Sequence, residues 1–79
     1  MIFLNENTVY SINGPVITVK DTKSFEMLEM VFVGNDELLG EVISIRNEFT
    51  TIQVYESTTG LKPGEPVLIQ SCFHTLELL

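Results

Sequence analysis

The stretch Ile52 to Val67, IQVYESTTGLKPGEPV, limits the fold more than any other part of the chain. It starts as a strand and ends as a strand. Ile52 and Val54 alternate with Gln53 and Tyr55, the period of a strand with one buried face. Ser57, Thr58, Thr59 and Gly60 follow, and then, after Leu61 and Lys62, Pro63, Gly64 and Glu65. Gly60 and Gly64 allow backbone angles that side chains disfavour. Pro63 sets its own φ and pushes Lys62 toward extended geometry. The apolar run resumes after Pro66, at Val67. The stretch is a stiff corner between two strands and has no group suited to chemistry.

The rest of the chain repeats this rhythm of short β-branched runs and turn residues. Thr8 to Ile12 reads as a strand broken by Asn13-Gly14-Pro15, and Val16 to Val19 as its neighbour. Lys20 to Ser24 is polar and loop-like. Phe25 to Val33 has some helical spacing, but it spans only nine residues and ends in Val31-Phe32-Val33-Gly34, which predicts a strand. Gly34-Asn35-Asp36 is a turn. Leu38 to Arg46 is a strand in which Gly40 predicts a bulge or strong bend. Asn47-Glu48 turns it into Phe49 to Tyr55. Val67 to Gln70 and Thr75 to Leu78 complete the set. No segment has the length, caps and periodicity of a helix. The expectation is an all-β fold, a small closed antiparallel barrel of six to seven strands, closed because closure removes exposed edges.

With 79 residues the chain is one domain, which buries only about 60% of its unfolded surface. A hydrophobic share of 44% excludes disorder. Eleven acids against four bases give a net charge of −7. The bases, Lys20, Lys23, Arg46 and Lys62, are scattered. Phosphate binding rests on clustered Lys and Arg, so neither nucleic acid nor an anionic membrane is expected as a partner. One cysteine, Cys72, excludes an internal disulfide and fits a reducing compartment. Met1 to Leu4 is apolar, but Asn5-Glu6-Asn7 ends the run well short of a secretory signal. No run approaches the ~18 apolar residues of a membrane-spanning helix.

Candidate chemistry is sparse. Gly60-Leu61-Lys62-Pro63-Gly64 lacks the Ser/Thr and following helix of a phosphate loop, so it reads as a turn. Two residues apart on a strand, Cys72 and His74 would point to the same face, but nothing nearby in the sequence orients the imidazole, so a packed thiol and an edge imidazole are the default. Zinc would need more ligands than this chain supplies. Glu26 with Glu29, and Asp36 with Glu37, read as solvated acidic faces. Glu41 and Glu56 lie beside small residues, where each is either an ordinary exposed acid or an ion-pair partner for another protein. Met27 and Met30, with Phe3, Phe25, Phe32, Phe49 and Phe73, read as core and rim packing. These features describe a binding or assembly module rather than an enzyme.

The opening stretch also resembles a family. IQVYESTTGLKPGEPV is similar to the segment IQVYE-x-T-x-GL-x-PGEPV near the start of the catalytic A subunit (alpha chain) of V-type and archaeal-type ATPases and ATP synthases. In register with it, Ser11 to Val16 resembles the family's SGPVV, and Met30 to Gly34 its xVRVG. Leu38 to Ile43 resembles its LIGEII, and Thr75 to Leu78 its SVEL. The resemblance runs from about Thr8 onward, with the joined QVYE and PGEPV its most specific part. It singles out Gly14, Pro15, Gly34, Gly40, Glu41, Gln53, Tyr55, Glu56, Gly60, Leu61, Pro63, Gly64, Glu65 and Pro66 as family motif and turn residues. Lys20 to Ser24 and Ser71 to Phe73 depart from the pattern. The resemblance implies an N-terminal β-barrel over residues 1–79, either excised or truncated, without the nucleotide-binding and C-terminal domains. It implies a crown ring in which such barrels alternate with those of neighbouring B subunits in a hexamer. It implies no cofactor in this fragment, ATP or ADP with Mg in the parent, and no direct membrane contact. The parent would be cytoplasmic, peripheral on the cytoplasmic face of a membrane, coupling ATP hydrolysis or synthesis to proton or sodium transport. No catalytic residue carries over. A free-standing barrel adaptor for a peptide or protein is the alternative.

Overall fold

The computed structural model describes residues 7–21 and 23–69. Six strands follow in chain order: β1 (Asn7–Asn13), β2 (Val16–Val19), β3 (Met30–Val33), β4 (Leu38–Arg46), β5 (Phe49–Val54) and β6 (Pro66–Ile69). They close into a barrel in the order β1-β2-β5-β4-β3-β6, with every neighbouring pair antiparallel. The all-β closed barrel expected from the sequence is present, and no helix forms among the described residues. The strand expected at Thr75 to Leu78 lies outside those residues, as do Phe3, Cys72, Phe73 and His74.

The core follows from alternation. Ile17, Val19, Val31, Val33, Val42 and Ile52 are fully buried, with Val9, Val54, Val67 and Phe25 beside them. Compact β-branched side chains suit the narrow interior of a six-stranded barrel. Thr50 is the one buried polar residue among those described. Its hydroxyl donates to the Asp21 carbonyl, which offsets the cost of burying it.

Two bulges re-phase the pattern. The β1–β2 register shifts between Val9 and Ser11, and the β4–β5 register between Val42 and Ser44. The residues passed over, Tyr10 and Ile43, are both exposed. Each bulge lets inward residues stand three apart, Val9 with Ile12 and Val42 with Ile45. The bulge expected at Gly40 is therefore at Ile43, and Gly40 pairs regularly with Val54 and Val31. Gly40 is required for a different reason. A Cβ there would lie 2.8 Å from Ile52 Cγ2 and 3.1 Å from the Gln53 carbonyl oxygen.

The strand expected over Phe25 to Val33 is only half present, since β3 starts at Met30. Glu26 to Glu29 forms a turn, closed by the Glu29 N–H donating to the Glu26 carbonyl at 3.1 Å, with Leu28 at φ 68°. The turn is held against β4, where Leu28 N–H donates to the Val42 carbonyl and Val42 N–H to that of Glu29. Only Phe25 of this half reaches the core; Met27, expected in core or rim packing, is exposed.

Because neighbouring strands alternate in direction, connections alternate between the barrel's ends. The β1–β2, β3–β4 and β5–β6 connections share one end. The β2–β3 and β4–β5 connections share the other.

Gly40→Ala should destabilise the barrel by about 1–3 kcal/mol, because one contact in its way is backbone that cannot swing aside. Thermal unfolding measures this, and an unchanged midpoint would show that β4 and β5 can separate freely.

Candidate functional site

Most of the motif residues meet at the end shared by the β1–β2, β3–β4 and β5–β6 connections. The β5–β6 corner has two turns in series. Leu61 N–H donates to the Thr58 carbonyl at 2.9 Å and Glu65 N–H to the Lys62 carbonyl at 3.3 Å. The third residues of these turns, Gly60 and Gly64, have φ of 91° and 96°. A positive φ at that position is the type II requirement, and Pro63 occupies the preceding position that proline favours.

Glu65 ties the corner to the β3–β4 turn. Its Oε1 accepts from Asn35 N–H at 2.9 Å and its Oε2 from Lys62 N–H at 3.1 Å. Gly34 N–H donates to the Pro66 carbonyl at 2.7 Å. Gly34 itself has φ 81°, and a Cβ on it would lie 2.5 Å from Leu61 Cδ1 and 2.8 Å from Glu65 Oε1. Leu61 and Glu65 therefore rest on Gly34 because it has no side chain.

Two further links complete the end. Thr58 Oγ1 donates to the Gly14 carbonyl at 2.9 Å, and Val54 N–H to that of Pro15 at 2.8 Å. Glu56 Oε2 accepts from Leu39 N–H at 2.8 Å, while Tyr55 N–H donates to the Leu39 carbonyl at 2.8 Å. The barrel wall carries the rest of the motif: Gly40, and the pair Glu41 and Gln53, which face each other across β4 and β5. Tyr55 hydroxyl donates to Glu41. Both acids considered as ion-pair partners for another protein thus have donors within this chain.

The arrangement braces a structure. A triphosphate needs free backbone amides and positive charge, whereas here the Lys62 amide is committed to a carboxylate. Thr58 and Asn35 were not singled out by sequence reasoning. Their partners lie 44 and 30 residues away, so no local pattern marks them.

The two kinds of glycine should separate in thermal unfolding. Gly60→Ala meets no atom within 4 Å of the new Cβ, so it should cost about 1 kcal/mol or more through backbone strain alone. Gly34→Ala should cost more, about 2 kcal/mol or above, since strain adds to displacement of Leu61 and Glu65. Equal melting temperatures for the two variants would mean that the contact with Leu61 and Glu65 is not limiting.

Tyr55 gives a pH prediction. Its hydrogen bond to Glu41, then desolvation, then the Glu41 charge raise its pKa above the ordinary 10.0. A raised pKa means the folded state holds the proton more tightly. The contribution is fully present below the unfolded value and is lost as pH rises through the folded one. In a Tyr10→Phe background, ultraviolet titration should show Tyr55 ionising late. Glu41→Gln should bring ionisation to lower pH, and no movement would refute the link.

Residues 9–69 match the profile of the ATP synthase alpha/beta family, beta-barrel domain. The chain is 52% identical over 60 residues to a V-type ATP synthase alpha chain 2 of Clostridium tetani, covering 76% of this chain and 10% of that one. It is 46% identical over 65 residues to the catalytic A subunit of a V-type proton ATPase of Neurospora crassa, covering 82% and 11%. Among solved structures, the assembled ATPase EscN of the enteropathogenic E. coli type III secretion system matches with a TM-score of 0.74. That match covers 84% of this chain and 16% of the other at 21% identity, and it speaks to the fold alone. The chain spans about a tenth of the length of the relatives it matches. With the barrel closed and most of its motif residues gathered at one end, the chain belongs to the ATP synthase alpha/beta family, as a β-barrel domain similar to that of V-type and A-type catalytic A subunits.

Proposed function

We propose that this barrel serves the assembly of a rotary ATPase, as the N-terminal crown element of a catalytic A subunit beside the barrels of neighbouring B subunits. ATP or ADP with Mg, and the coupling to proton or sodium transport, belong in this reading to other domains of the parent. The parent would be cytoplasmic and peripheral to the membrane face.

The observation that carries the reading is the use to which the motif is put. Gly34, Leu61, Glu65 and Pro66 brace the β3–β4 and β5–β6 connections and Thr58 ties in the β1–β2 turn, so the residues most typical of the family help preset a shape. A preset surface loses little entropy on association. The barrel wall supports the same reading. Leu39, Phe32 and Leu68 are cross-strand neighbours on β4, β3 and β6. Their flanking residues Gly40, Val31, Val33 and Val67 point inward, so this row faces out, and Leu68 is 54% exposed. A closed barrel offers no edge for strand addition, which leaves its faces and ends for a neighbour to dock on.

Alone, the 79-residue chain should sediment as a monomer or a weak associate, and calorimetry with Mg-ATP should show no saturable binding. A tight homohexamer would contradict the alternating partner, and saturable nucleotide binding would overturn the non-catalytic role. Reading the gene beyond Leu79 separates this proposal from a free-standing adaptor, since continuation into a phosphate-binding loop favours the ATPase.

A further inference from the structure

The β1–β2 turn carries a reactive pair. Asn13 ends β1 and is exposed, and Gly14 beside it is exposed with φ 62°. No atom lies within 4 Å of where a Gly14 Cβ would stand. A side chain on the residue after an asparagine shields its backbone nitrogen from the asparagine carboxamide, and glycine removes that shield. Asn35 and Asn47 are also exposed turn residues, but Asp36 and Glu48 follow them. Among the described residues, Asn13 alone combines exposure with a following glycine.

We propose that Asn13 is a site of spontaneous deamidation, with Thr58 setting its rate. The Gly14 nitrogen, losing its proton, attacks Asn13 Cγ. The N–Cγ bond forms, the Cγ–Nδ2 bond breaks, and Nδ2 leaves as ammonia, giving a five-membered succinimide. Water then adds to one of the two ring carbonyls, and ring opening yields aspartate or isoaspartate. No oxidant or reductant takes part.

The fold slows this step. Attack requires Asn13 to leave the extended geometry it holds opposite Val16. The turn is also gripped from the corner, by Thr58 Oγ1 on the Gly14 carbonyl and Val54 N–H on that of Pro15. Either product adds a carboxylate to the end that already has Asp36, Glu37 and Glu56. Isoaspartate also lengthens the main chain at the strand end next to the two-residue turn, which moves Gly14 off its Thr58 anchor.

The test incubates the full chain in mildly alkaline buffer and reads the mass gain of about 1 Da, enzymatic isoaspartate methylation and the modified peptide. Modification should map to Asn13, vanish in Asn13→Ser, run several-fold faster in Thr58→Val, and run fastest in urea. Thr58→Ser, which keeps the hydroxyl, should restore the slow rate, and circular dichroism checks that each variant is folded. Equal modification at Asn35 or Asn47 would overturn the assignment. So would an unmodified folded chain whose urea control reacts. A folded Thr58→Val with an unchanged rate would overturn the role given to Thr58.

Discussion

Strand β6 has partners on both edges, and the barrel depends on it. Val67 is opposite Asn7 of β1 and Val33 of β3. Without β6 those two strands would present open edges. Yet β6 has only four residues and begins with a proline, which donates no hydrogen bond. Its place is held by the corner just before it and by its own first residue. Gly64 N–H donates to the Val9 carbonyl, Val9 N–H to that of Glu65, and Gly34 N–H to that of Pro66, all between 2.7 and 2.8 Å. The Glu65 carboxylate adds the Asn35 amide. Closure therefore rests on the corner, and the corner rests on a glycine at position 34 that leaves room for Leu61 and Glu65.

This dependence accounts for the uneven distribution of charge-bearing work. An acidic chain can place carboxylates where backbone amides would otherwise go unpaired. Glu65 serves two turns in this way and Glu56 serves Leu39. Their hydrogen bonds belong to the fold itself. What the barrel offers outward is the apolar row of Leu39, Phe32 and Leu68, beside the Tyr55–Glu41 link. Rigid connections at one end and an apolar wall at the side suit the assembly role proposed for the barrel.

Much of this is legible in the residues. The strand pair around Gly14-Pro15, the turn at Asn47 and the long corner all carry their own turn chemistry, and each forms as expected. The bulges also leave a trace, because inward apolar residues three apart at Val9 and Ile12, and at Val42 and Ile45, break strict alternation. Gly40 draws attention away from the second, since a glycine within a strand has two uses and only the neighbouring strand tells them apart. Phe25 to Glu29 departs from expectation because its apolar residues suggest a continuation of β3. The hydrogen bonds from Leu28 and Val42 bend the segment across β4 instead, leaving Met27 and Leu28 exposed.

By itself the sequence determined the strand rhythm, the turns that demand glycine or proline, and the family likeness carried by QVYE and PGEPV. All of these are local, decided by φ preferences and by a two-residue period. Tertiary structure alone decided that motif residues scattered from Gly14 to Pro66 meet at one end. It also decided that Glu65 and Thr58 find partners across 30 and 44 residues. The reason is the alternation of strand direction around a closed barrel. It places every second connection at the same end, however far apart the connections lie in the chain.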